Sequence, residues 1–127
     1  MKKLTPVLIV DSIEACLPFW VERFGFTKTV ELPAGDRLGF VILLHGSVEV
    51  MLQSRASVAD DVPALARDHY RSSLFIEVDD LSPILKATGG LEGVVPERNT
   101  FYGSREIGVR DPSGNVICFA KFDAPAQ

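Results

Sequence analysis

Val10-Asp11-Ser12-Ile13 returns, from position 10 to position 78, as Val78-Asp79-Asp80-Leu81. Gly35-x-Arg37 returns at the same offset as Gly103-x-Arg105, and Gly46-x-Val48 as Gly114-x-Val116. Any one of these matches is weak, but a shared offset points to an internal duplication. The hydrophobic pattern around each copy agrees. Thr5 to Val10, rich in Val, Leu and Ile, predicts a strand buried on both faces. Ser12 then offers a helix N-cap, and Ile13, Cys16, Leu17, Trp20, Val21 and Phe24 form one apolar helical stripe that Gly25 can close. Pro18 lies inside that helix, where it should cost a backbone hydrogen bond and kink the axis.

Three strands follow, at Phe26 to Leu32, Leu38 to Leu44 and Val48 to Gln53, separated by Pro33-Ala34-Gly35-Asp36 and His45-Gly46-Ser47. In the third, Val48, Val50 and Leu52 alternate with Glu49, Met51 and Gln53. The second half repeats the order. Ser73 to Val78 is a strand, Ser82 caps a short helix that starts at Pro83 and runs Ile84 to Thr88, and strands follow at Gly93 to Arg98, Ser104 to Arg110 and Asn115 to Phe122. Asp111-Pro112-Ser113-Gly114 is a turn. The chain is thus expected to be one α+β domain over 1–127. Module 1 covers about 4–53 and module 2 about 73–122. They are joined by a charged, Ala-rich linker, 54–72, in which Val62 to Arg67 forms a short helix.

The 127 residues suit a single domain. A 46% hydrophobic and 24% charged composition excludes wholesale disorder. A net charge of −4 argues against a nucleic-acid or anionic-membrane partner. The longest apolar run, Phe40 to Leu44, is too short to span a bilayer. Lys2-Lys3 before Leu4 to Val10 lacks a cleavage site, and the apolar stretch stops at Asp11, so no signal peptide is expected. Cys16 and Cys118 match no zinc spacing and form no disulfide scaffold, which suits a cytoplasmic protein.

Two stretches carry a family resemblance. Val10-Asp11-Ser12-Ile13, Phe19-Trp20 and Phe24-Gly25-Phe26 resemble the opening V-x-D-hydrophobic, F-Y, L-G-F pattern of the vicinal oxygen chelate superfamily. Trp20 stands in for the usual Tyr, and the acidic residue comes one place early. Arg105-Glu106-Ile107-Gly108-Val109-Arg110-Asp111-Pro112-Ser113-Gly114-Asn115 resembles its closing R-E-F-x-V-x-D-P-x-G-N. That group includes glyoxalase I, extradiol dioxygenases, and the fosfomycin and bleomycin resistance proteins. The resemblance implies a concave mixed sheet built from two tandem β-α-β-β-β modules, helices on its convex side, a homodimer, and a pocket in the cup of the sheet.

The family's enzymes hold a divalent metal through His, Gln or Glu. The resemblance carries those positions to Thr5, Ser73, Cys118 and, in the first module, either Val50 or Glu49. The repeat offset favours Val50, whereas alternation favours Glu49 with a one-residue bulge at the hairpin. One carboxylate beside Thr, Ser and Cys makes a poor metal site. His45 in a turn and His69 in the linker are expected to be surface histidines.

No metal or other cofactor is therefore expected. The candidate small-molecule site is Thr5, Phe40, Glu49, Met51, Ser73, Phe75, Phe101, Tyr102, Glu106 and Cys118. Trp20 is assigned to the core and Cys118 to an inert thiol, since no histidine is placed to activate it. Glu106 and Arg110 are expected to pair and anchor their strand. The leading reading is a metal-independent binding protein of the bleomycin-resistance type, sequestering an aromatic or cationic drug with Glu49 as the charged partner. The alternatives are a metal-dependent glyoxalase-like lyase, isomerase or dioxygenase, and a sensor domain without a small ligand.

Overall fold

A computed structural model describes residues 1–68 and 70–123. The chain divides between Arg71 and Ser72 into two compact units, and each carries one four-stranded mixed sheet. In the first unit β1 (Val7–Val10) runs parallel to β4 (Val48–Ser54), which pairs antiparallel with β3 (Arg37–His45), and β3 with β2 (Thr27–Ala34). The second repeats the order with β5 (Ser73–Glu77), β8 (Val116–Phe122), β7 (Ser104–Arg110) and β6 (Gly93–Asn99). The α+β class and the tandem β-α-β-β-β plan are as the sequence predicts. No helix among the described residues is long and apolar enough to cross a membrane.

Period two decides which sheet face is dry. Leu8, Val10, Val41, Leu43, Val50 and Leu52 are all at most 2% exposed and form one face of the first sheet. Helix α1 (Ile13–Leu17) lies against it and adds Ile13 and Cys16 to the core. β1 is not buried on both faces as expected. It is an edge strand, Val7 is 47% exposed, and only the Leu8 and Val10 side meets a helix.

Ser12 caps α1 through its hydroxyl, which accepts from Ala15 N at 3.2 Å. At Pro18 the helix widens into a π-helical segment, Pro18–Arg23, so the proline changes the hydrogen-bond step rather than only kinking the axis. Phe24 N accordingly bonds Phe19 O at 3.3 Å, and Gly25 ends the helix at φ +75°. Trp20 is fully buried and stands edge-on to Phe26, ring centres 5.1 Å apart. Among the described residues its Nε1 has no hydrogen-bond acceptor.

The segment expected as a linker is folded. α2 (Arg55–Asp61) and α3 (Pro63–Ala66) pack in the first unit, with Ser54 as the N-cap of α2 and Val58 buried. Gly39 makes room: a Cβ there would sit 2.7 Å from Ala34 Cβ and 3.3 Å from Ser57 Cβ. Arg55 ties the segment down. Its Nε bonds Asp11 at 3.0 Å, and its Nη1 donates to the carbonyls of Ala66 and Asp68 at 3.4 and 3.1 Å. α3 falls within the short helix expected at Val62 to Arg67, whereas α2 was not expected: a single buried valine with a serine cap suffices once a sheet lies beneath it. His69 lies outside the described residues.

In the second unit α4 (Ser82–Ala87) is not capped by Ser82. Its side chain makes no cap bond, and Asp80 Oδ1 instead accepts from Ser82 N at 3.0 Å. The turn before β8 is built on Asp111, which takes Ser113 N and Asn115 N on Oδ1 at 3.0 and 2.8 Å and Asn115 Nδ2 on Oδ2 at 3.0 Å. Asn115 Oδ1 in turn accepts from Ser72 N at 2.7 Å, fastening the entry to β5. Both side chains are buried, so every one of these bonds replaces lost water.

Candidate functional site

The open face of each sheet carries the sequence-predicted residues of that unit. In the first unit Glu49, Met51 and Phe40 are half-buried on the face opposite the core. Thr5 Oγ1 donates to Glu49 Oε1 at 2.9 Å, and Lys3 Nζ lies 2.7 Å from the same oxygen. Lys3 first, then Thr5, holds the Glu49 carboxyl below its ordinary range.

Val50 is buried on the core side, so alternation rather than the repeat offset gives the facing correctly. Strand register also corrects the equivalence. Val7 lies opposite Met51 as Phe75 lies opposite Cys118, so the counterpart of Cys118 is Met51, not Glu49 or Val50. The two modules differ in the hairpin before the last strand, where His45 pairs directly with Val48 but Asp111 N bonds Asn115 O.

The second unit gathers more. Rows across β7, β8 and β5 run Glu106, Ala120, Glu77 and then Gly108, Cys118, Phe75, all on one face. Ser73 is exposed at the start of β5, opposite Val116. Phe75 is 53% exposed, Tyr102 45% and Phe101 fully. The rings form a chain: Phe101 to Tyr102 at 5.1 Å, Tyr102 to Phe122 at 6.3 Å, Phe122 to Phe75 at 6.1 Å. Phe101 and Tyr102 ride a tight turn. Thr100 N donates to Ser104 O at 2.8 Å, Gly103 N to Thr100 O at 3.2 Å, and Ser104 N to Thr100 Oγ1 at 3.1 Å.

Beneath the rings lies Glu106, only 1% exposed. Arg98 Nε and Nη2 donate to its Oε1 at 3.0 and 2.7 Å. The Tyr102 hydroxyl and Ser104 Oγ donate to its Oε2 at 2.8 and 3.1 Å. Arg98 chiefly, with Tyr102 and Ser104, holds the Glu106 carboxyl below its usual range against the opposing effect of burial. Burial and the nearby Glu106 push the Cys118 thiol up, which leaves it protonated and a poor nucleophile at neutral pH.

The expected Glu106–Arg110 pair does not form. Arg110 Nε bonds Glu92 at 2.5 Å and its Nη1 the Gly114 carbonyl at 3.0 Å. Residues four apart on one strand are separated by roughly 13 Å, too far for a contact pair.

Arg98 and Phe122 were missed in the sequence. Extending the Val116, Cys118, Ala120 alternation by one step reaches Phe122. Centring the β6–β7 hairpin on Tyr102 sets Arg98 against Glu106.

The family implies a metal, and the side chains do not fit one. Among the described residues no three His, Cys, Asp or Glu side chains converge. Glu49 is spent on Lys3 and Thr5, and Glu106 is filled by four donors. A cavity of about 420 Å³ also opens beside the start of α4, lined by Asp80, Ser82, Leu85, Asn99, Arg105 and Lys121. No sequence-predicted site residue lines it.

Two modules of this topology and their closing turn match a known family model over residues 4–119. The chain belongs to the Glyoxalase/Bleomycin resistance protein/Dioxygenase superfamily. Solved structures with the superfamily's fold are similar along their whole length. TioX from Micromonospora sp. ML1 is 21% identical, with 97% of this chain and 100% of that one covered at a TM-score of 0.81. A lactoylglutathione lyase from Agrobacterium tumefaciens is 19% identical, with 97% and 99% covered at 0.72. A bleomycin resistance determinant encoded on the transposon Tn5 is 16% identical, with 98% and 100% covered at 0.69. At these identities the superfamily likeness speaks for the fold alone. Among curated proteins no significant match is found.

Proposed function

We propose that this superfamily member is a metal-independent binding protein of the bleomycin-resistance type, which holds a small aromatic molecule on the open face of its second sheet without making or breaking bonds. The ring chain Phe101, Tyr102, Phe122, Phe75 carries the reading. Offset and edge-on aromatic contacts favour a planar guest over an aliphatic one, and exposed rings gain from being covered. The hydrogen-bonded turn holds Phe101 and Tyr102 ready, which lowers the ordering cost of binding. Ser73 and Cys118 border the rings and complete the site in this unit, while Thr5, Phe40, Glu49 and Met51 are proposed as small-molecule contacts of the first unit's own open face. A second copy of the chain covering the exposed rings as a homodimer, and a cytoplasmic setting consistent with two free cysteines, belong to the same proposal. The lyase, isomerase or dioxygenase alternative needs a convergent ligand set that the described side chains do not supply.

Native mass spectrometry of tag-free protein, purified without chelator, tests the reading. A bare dimer, or a dimer with an organic adduct, is expected. One divalent ion per subunit would overturn it and put the enzyme first.

A further inference from the structure

Building on that reading, we propose that the guest is an aromatic acid, a planar ring system bearing a carboxylate that Arg98 receives, rather than an aromatic cation. A carboxylate offers about four lone-pair positions. Those of Glu106 are taken by Arg98 Nε, Arg98 Nη2, the Tyr102 hydroxyl and Ser104 Oγ. The group is also buried, so a cationic guest could reach it only by displacing a partner it already has.

Arg98 is in the opposite position. A guanidinium has five N–H donors, and two of them are spent on Glu106. Its side chain is 54% exposed, and besides Glu106 it engages the Tyr102 hydroxyl, which leaves two N–H donors over. β6 changes register between Val95 and Arg98, and Arg98 then faces Glu106 beside the Tyr102 ring. The irregularity aims the side chain at the aromatic site, as bulges do. What the cluster presents outward is therefore a fork of unused N–H donors, fixed by a buried carboxylate and matched to a planar, two-oxygen acceptor. Glu106 and Arg98 cancel in net charge, so the preference comes from directed hydrogen bonds rather than a positive field.

Glu77 is the competing feature. It is exposed on the same face, in the row of Glu106, two strand spacings or about 10 Å away. It repels an acid at that end and so orients the carboxylate toward Arg98. A cationic guest would choose it.

The test is calorimetric titration of the full chain at pH 7 with three naphthalene probes: 2-naphthoate, 2-naphthylmethanol and 2-naphthylmethylammonium. The acid is expected to bind at least about tenfold tighter than the ammonium, the range of one or two charge-assisted hydrogen bonds. Arg98→Gln should bring the two within about threefold. Should that variant lose its circular dichroism signal, Arg98→Gln combined with Glu106→Gln removes the buried charge together with its partner, with the same expectation. Ammonium binding as tightly as naphthoate, or a preference for the acid that survives loss of Arg98, overturns this assignment and leaves the sequestration reading standing. Binding of none of the three probes overturns both.

Discussion

Arg98 reaches across the β6–β7 hairpin and closes on Glu106 Oε1 with two donors, at 3.0 and 2.7 Å. The pair has a consequence in acid. Glu106 is held below its ordinary value in the folded chain, so its contribution to stability is complete above the unfolded pKa, near 4.5, and is lost as pH falls through the folded one. Urea midpoints measured from pH 7 to pH 3 should fall more steeply below about pH 4.5 for the natural chain than for Glu106→Gln. Parallel curves would remove Glu106 as the titrating group.

Gly108 lies under Val95. A Cβ at position 108 would stand 3.0 Å from both Val95 Cβ and Cγ2. Gly108→Ala should therefore cost about 1–3 kcal/mol by overpacking. Adding Val95→Ala should restore a good part of it, because the two changes share one contact. Denaturant titration of the single and double variants reads the coupling directly, and additive costs would refute the clash.

Arg55 is the clamp on the segment between the two sheets. Arg55→Ala removes the donors to the Ala66 and Asp68 carbonyls and to Asp11. The expected cost is about 1–2 kcal/mol. Limited proteolysis should show earlier cleavage within positions 62–71, with the β-strands resisting as before. An unchanged cleavage pattern would show that α2 and α3 hold without it.

Cys118 combines partial burial with a raised pKa. Iodoacetamide at pH 7.5 should label it far more slowly than free cysteine, because the thiolate fraction is small. Peptide mass spectrometry separates it from Cys16, which is 1% exposed. Since Cys118 lies opposite Phe75, a bound aromatic guest should slow labelling further, and rapid modification would contradict the protonated, sheltered thiol.

How far the residues alone carry depends on which interaction is asked about. Alternation along Val48 to Gln53 assigns the faces of β4, and the Leu8, Val10, Val50 and Leu52 core confirms it. The Gly25 stop, the Asp111 turn and the β7 bounds, Ser104–Arg110, were equally legible. The α2 helix was not, since its burial rests on Val58 and on the gap that Gly39 leaves. Nor was the equivalence of Met51 and Cys118, which a one-residue difference in hairpin length displaces.

Fold order and strand faces were thus determined by the sequence itself, because periodicity and turn chemistry act over a few neighbouring residues. The functional cluster was decided only by tertiary structure. Glu106 could be seen to point inward, but whether it met Arg110, a cation or Arg98 depended on the register of a hairpin with a bulge in one strand. A shift of one residue there turns every side chain to the other face, so the partner of a buried charge is set by how the strands meet and not by the residues beside it.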